Sequence, residues 1–276
     1  MLYFSAKKQV FAKTKGQPMK IILSRKGFDS GYGGMPSPIL PDRTLLSMPI
    51  PSKDAVRYDE LRYGGKSYLE LLRELKPTFK HETCHLDPDI RDGAKEREKG
   101  WTAAFGQEGA ALSHLLNQGV GVGDLFLFFG WFRQTEIREG RLRFVEGAPD
   151  LHVIYGYLQI GRILSSCDEI GAVPWHPHAD PGRRGSKRNA IFLPAERLLD
   201  TDLPGYGVFG FDERLVLTKK GETRTHWELP QCLVGKNISY HSEKNLKDGY
   251  FQSAARGQEF VVEADDAILG WAKSLL

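Results

Sequence analysis

Gly123-Asp124-Leu125-Phe126-Leu127-Phe128-Phe129-Gly130-Trp131-Phe132-Arg133 decides the fold. An apolar run without polar alternation is a strand buried on both faces, so this segment belongs at the centre of a sheet. Leu151 to Leu164 reads as its partner, with Gly156 and Gly161 placed where a tight barrel would bend. The charged stretch from Thr135 to Gly147 joins the two as a hairpin.

Earlier in the chain, Ile21-Ile22-Leu23 is a short buried strand that runs into Ser24-Arg25-Lys26-Gly27-Phe28-Asp29-Ser30 and then Gly31-Tyr32-Gly33-Gly34. Polar, glycine-rich backbone at a strand end can approach an anionic ligand, or it can simply turn the chain. It matches neither common phosphate loop. Pro41-Asp42-Arg43-Thr44 fits a hairpin turn leading to an edge-like strand over Leu45 to Ile50, and Tyr68 to Leu75 has helical spacing that Pro77 ends.

The densest ionisable run is His81-Glu82-Thr83-Cys84-His85-Leu86-Asp87-Pro88-Asp89-Ile90-Arg91-Asp92. Extended, it projects His85, Asp87 and Asp89 to one side, where they can form a metal site or a general acid/base pair. The alternative is an acidic loop whose Asp89 or Asp92 caps the next element. Ala103 to Leu116 reads as a helix that places Gln107, Ala111 and His114 on one face. His176-Pro177-His178, followed by Arg183, Arg184, Lys187 and Arg188, sets an imidazole pair beside cations that can meet phosphate.

Further strands are expected at 189–193 and 259–263, a hairpin at 207–217, a short strand at 225–229, and a terminal helix at 265–275 that buries Ile268, Leu269 and Trp271. With 276 residues, 41% hydrophobic, 26% charged and net charge +3, the chain is globular, with a mild bias toward anionic partners. Its three cysteines are widely separated, which argues against a disulfide framework or zinc ribbon and suits a reducing cytoplasm. No apolar run reaches membrane-spanning length. Residues 1–18 read as a flexible tail, and 19–276 as a single α+β domain with a mixed or antiparallel, partly barrel-like core and a few helices.

The central strand, hairpin and partner strand resemble the core of PUA-like barrels, which bind RNA or modified bases. On that resemblance the aromatics at 126, 128, 129, 131 and 132 either stack on a base or fill the core. A wider set of segments resembles the bacterial and phage family called nucleotide modification associated domain, type three. Its carriers are Ile22 to Ser30 with Pro36-Ser37-Pro38 and Ser47 to Pro51, His85-Leu86-Asp87-Pro88-Asp89, Phe105 to Ala111 with His114-Leu115 and Asn117 to Val120, Gly123 to Arg133, His152 to Gly161, and His176-Pro177-His178. That resemblance implies a role with modified bases in DNA or nucleotides and supplies no reaction.

The leading expectation is an enzyme acting on a nucleotide or a DNA base. Asp29, His85, Asp87, Gln107 and His114 are its candidate catalytic residues; Ser24, Arg25, Lys26, Ser30, Trp131, Arg133, His176 and His178 are its candidate substrate contacts. The rival is a PUA-like reader that stacks bases on Trp131 and Phe132 and meets the backbone with Arg183, Arg184, Lys187 and Arg188. A third possibility is an accessory partner of a modification enzyme. The enzyme reading makes a spatial claim: Asp29, His85, Gln107 and His178 should surround one cavity.

Overall fold

A computed structural model describes Lys13, residues 16–186, 188–255 and 257–276. The expected tail therefore lies largely outside the described residues, although Lys13 contacts the buried Asp124 carboxylate. Among the described residues nine strands form one mixed sheet: β1 (Lys20–Arg25), β2 (Ser37–Ile39), β3 (Phe105–Glu108), β4 (Leu125–Arg138), β5 (Arg141–Phe144), β6 (Leu151–Leu164), β7 (Asn189–Pro194), β8 (Tyr206–Val208) and β9 (Glu259–Glu263). Its main order is β9-β1-β4-β6-β7-β3. β1 runs parallel to β4, with Ile21 opposite Leu125, and antiparallel to β9, while β4 and β6 are antiparallel.

The outermost strands of that order do not stay apart. Gln107 on β3 donates to the Glu259 carboxylate on β9 at 2.7 Å, so the sheet curls into a half-barrel. The two glycines expected to bend β6 sit at its two register shifts, between Ile154 and Gly156 and between Ile160 and Arg162. A Cβ on Gly161 would lie 2.5 Å from the Pro194 carbonyl oxygen, and one on Gly156 would lie 2.7 Å from that of Gly207, so a side chain at either would block the crossing.

Both faces of β4 are packed, which explains why its sequence shows no alternation. Phe126 and Phe128 meet Phe105 at centroid distances of 4.8 and 5.2 Å on one face, while Phe129 meets Trp227 at 5.2 Å on the other. Burial of each ring contributes about 1.5–3 kcal/mol. Of the five aromatics that could have stacked on a base, Phe126, Phe128, Phe129 and Phe132 are fully buried core.

A second apolar cluster, including Phe28, Met48, Tyr58, Leu72 and Phe79, fills the space beneath residues 28–84. Helix α1 (Tyr68–Leu75) spans the expected residues, since Ser67 and Glu70 form a capping box and the chain leaves the helix before Pro77. This layer carries the short strand Cys84–His85, paired with Ile50–Pro51. The turn at 41–44 is present, with the Leu40 amide donating to the Thr44 carbonyl at 2.9 Å, but no strand follows over Leu45 to Met48.

Two elements differ from expectation. Ala103 to Leu116 is not one helix: Phe105–Glu108 is strand β3, paired with β7, and helix α2 (Gly109–Asn117) begins at Gly109, whose φ of +60° breaks the path between them. The helical spacing of alanines is overridden because Phe105 must reach Phe126 and Phe192. The 207–217 stretch is not a hairpin either: β8 pairs with β6, Val216 bridges Val153 on the same strand, and Glu213–Leu215 forms a short 3-10 turn. Both arms of the expected hairpin lie along β6 because Leu215 and Leu217 join the main core.

Helices α3 (Cys167–Gly171) and α4 (Pro181–Arg184) are short, and α5 (Asp266–Ser274) closes the chain, burying Ile268 and Ala272 while Leu269 and Trp271 are only partly covered. The cysteines are free. No helix among the described residues is long and apolar enough to cross a membrane.

Candidate functional site

Where β1 ends and the two outer strands approach, Arg25, Lys26, Asp29, Tyr32, His85, Asp87, Gln107 and His178 line a cavity of about 390 Å³. The four residues expected around one cavity, Asp29, His85, Gln107 and His178, all border it. The volume lies in the range of small-molecule sites.

Asp87 is the centre. Its Oδ1 accepts from the Gly106 amide at 2.7 Å and faces His176 Nε2 at 3.2 Å. Gly106 has no room for a side chain, because a Cβ would fall 2.3 Å from the His178 ring and 2.8 Å from that of His176. Pro177 follows His176 at the start of a 3-10 turn, and His176 Nδ1 accepts from the His178 amide, so the His-Pro-His spacing aims both rings at the same carboxylate.

Two rings are oriented from behind. His85 Nδ1 meets Asp54 Oδ2 at 2.6 Å, and Arg183 holds the other Asp54 oxygen at 3.0 Å. His178 Nδ1 meets Asn189 Oδ1 at 2.7 Å. The Asn189 amide nitrogen donates to the carbonyls of His178 and Arg183, which fixes its oxygen as the acceptor and His178 Nδ1 as the donor. Both Nε2 atoms therefore point toward Asp87 Oδ2, at 3.7 Å from His85 and 3.9 Å from His178. His85, Asp87 and His178 are a group whose ligating atoms all lie within 4.8 Å of one another, and these residues could hold a metal.

The electrostatics follow from burial and pairing. Burial disfavours charge on Asp87, but the histidines around it hold its carboxyl well below the usual range. Burial likewise opposes charge on His85, yet Asp54 and Asp87 raise its pKa to about 9. Burial lowers His178 to about 4, with the charges of His176 and His85 adding to the fall, against the pull of Asp87 and Asn189. Asp54 is pushed up by burial and pulled down harder by His85, Ser52 and Arg183, to about 2.

The opposite wall is a buried ion pair. Lys26 Nζ lies 2.8 Å from Glu259 Oε1, and the same oxygen accepts from Gln107. Arg25 is anchored through Nη2 to backbone carbonyls of 254, 255 and 257. The loop carrying Asp29 is shaped by that carboxylate itself, which accepts from the amides of Gly31 and Tyr32.

Other expected site residues lie elsewhere. His114 sits on α2, bonded to Ser239 and 4.1 Å from the Tyr240 ring; Gln107 is on the preceding strand, so the two do not share a face. Ser24 is buried within the sheet between β4 and β9. Ser30 accepts from Arg224, whose guanidinium covers the Trp131 ring at 4.0 Å. Arg133 is paired with Asp150. Asp89 turns away from Asp87 to a bidentate pair with Arg97 at 2.7 Å.

The stacking face of the reader expectation is removed by the burial of Phe132 and the covering of Trp131. Its Lys187 lies outside the described residues. Sequence reasoning passed over Asp54, Asn189 and Glu259. Ser52-Lys53-Asp54 carries a weak signal, since Ser52 and Asp54 form a local turn, while Glu259 looked like an ordinary polar strand end.

Fold and site together define an α+β half-barrel protein with a buried histidine–carboxylate centre at the wall of its main-sheet cavity. The chain belongs to the nucleotide modification associated domain 3 family, whose model matches residues 20–263. No curated protein and no solved structure matches it.

Proposed function

We propose that this chain is an enzyme of nucleotide or DNA base modification and that the cavity bordered by Arg25, Lys26, Asp87 and Gln107 is its active site. The observation that carries the reading is the Asp87 carboxylate, about 5% exposed, at the wall of an open cavity and faced by three imidazoles. Burying charge costs several kcal/mol per ion, and apolar packing would stabilise the fold as well. Strongly perturbed groups gathered in a cleft mark a candidate for chemistry.

In this reading Asp87, His85 and His178 form the reactive wall of the cavity, with His85 Nε2, Asp87 Oδ2 and His178 Nε2 turned toward one another. Arg25 gives the far wall a cation for phosphate beside the Lys26–Glu259 pair, and Asp29 shapes the loop that presents Tyr32. The Tyr32 ring, 57% exposed at the cavity's edge, offers a stacking face for a base. The family description supports a nucleotide substrate.

The test is mass spectrometry of nucleosides from host DNA with the gene, without it, and with Asp87→Asn. The Asn side chain keeps an oxygen acceptor for the Gly106 amide while removing the charge. A modified nucleoside should be present only with the intact gene. An unchanged profile in all three strains sinks the enzyme reading, and nucleic-acid binding that survives Asp87→Asn would replace it with a reader.

A further inference from the structure

We propose that His85 Nε2, Asp87 Oδ2 and His178 Nε2 bind one divalent first-row transition-metal ion, with its remaining coordination positions open to the cavity. The proposal deepens the active-site reading and rests on it for the use of the metal, while binding itself is tested separately.

The argument is geometric. As a hydrogen-bond network the centre is badly made, because 3.7 and 3.9 Å are too long for the two Nε2 atoms to bond Asp87 Oδ2. Every other polar atom of the three side chains is closely held. His85 Nδ1 is 2.6 Å from Asp54, His178 Nδ1 is 2.7 Å from Asn189, and Asp87 Oδ1 is 2.7 Å from the Gly106 amide. Only the three atoms that face one another are left at these longer separations.

Metal bonds of about 2.0–2.2 Å place ligand atoms about 3–3.5 Å apart, so an ion between them needs movements of less than about 1 Å. A metal-bound imidazole characteristically donates its other N–H to a carboxylate or carbonyl oxygen, and here both do. Two histidines and one carboxylate leave positions free for water and substrate, the pattern of catalytic rather than structural sites. His176 is the outer-sphere member, positioned by the turn to hold Asp87 Oδ1 rather than to ligate. The ion would supply Lewis acidity next to Lys26 and Gln107.

The test uses the full chain, stripped with chelator and titrated with Co(II) while visible absorbance is read. One equivalent should bind, with the spectrum of imidazole and oxygen ligation. His178→Gln and Asp87→Asn should each abolish the band. Asp54→Asn, which leaves all three ligands in place, should weaken binding about 10–100-fold. His226→Gln, at a distant surface pair with Glu222, should bind like the parent. Circular dichroism establishes that each variant is folded.

Failure of the folded parent to bind, or equal binding by the folded His178→Gln and Asp87→Asn variants, overturns the metal site. Chelator-resistant nucleoside modification overturns it and leaves the enzyme standing. One-equivalent Co(II) binding lost in both ligand variants, with an unchanged nucleoside profile, supports the metal site and refutes the nucleotide reading.

Discussion

Replacing Lys26 by Met should be among the most destabilising single changes in this protein. Its ammonium is 9% exposed and the Glu259 carboxylate it pairs with is 1% exposed. After the substitution Glu259 Oε1 keeps Gln107, while Oε2 has no hydrogen-bond partner even in the native protein. Breaking a buried pair from one side costs about 3–5 kcal/mol, because the remaining charge is stranded. Against a typical total of about 5–15 kcal/mol, that is at least about a fifth of the stability.

The double variant Lys26→Met with Glu259→Gln should recover much of the loss, since neither residue is then charged. Urea unfolding of the parent, both singles and the double gives the coupling energy directly. A loss below about 1 kcal/mol in Lys26→Met, or additive singles, would show that the two buried charges do not depend on each other and would refute the reasoning.

Gly106→Ala should cost about 1–3 kcal/mol by overpacking, because its Cβ would fall 2.3 Å from a His178 ring that Asn189 holds in place. It should also erase the Co(II) spectrum, and an unaltered melting temperature and spectrum would show that the ring moves freely. His152, buried on the far face of β4 and accepting from Trp227 at 3.0 Å, has its pKa lowered by burial and by Arg25 and Arg224 to about 3. The unfolded chain then binds the extra proton below the ordinary value of about 6.5, so stability falls with pH between about 6.5 and 3. From pH 7 to pH 5 this residue alone should remove about 2 kcal/mol. His85, raised to about 9, works in the opposite sense, so the check is the difference between parent and His152→Gln across that range; a flat difference refutes it.

What could be read from the letters depended on whether a feature is local. β4 and β6 were legible because unbroken apolar runs have few alternatives, and α1 because Ser67, Glu70 and Pro77 mark its ends. His85, Asp87 and the His176/His178 pair were legible as chemistry because short spacing places them together wherever the chain goes. Gln107 reads as helical because alanines surround it, and only the tertiary demand for Phe105 in the core makes that segment a strand. Asp54, in a bend, and Asn189, at the start of β7, are single polar residues whose value comes from partners 31 and 11 positions away. The stacking role of Phe132 failed for the same reason, since an aromatic reads alike inside and outside a core.

The seam between Gln107 and Glu259 joins residues 152 positions apart, and the contact between Asp87 and His176 spans 89. Closing such loops requires most of the chain to be ordered first, which places this protein among slow-folding, non-local topologies. The centre is thus a late product of folding rather than its nucleus. Unlike a zinc finger, whose ligands gather an otherwise unfolded chain, this protein should reach its native shape in metal-free medium, and an ion would then add stability only by mass action.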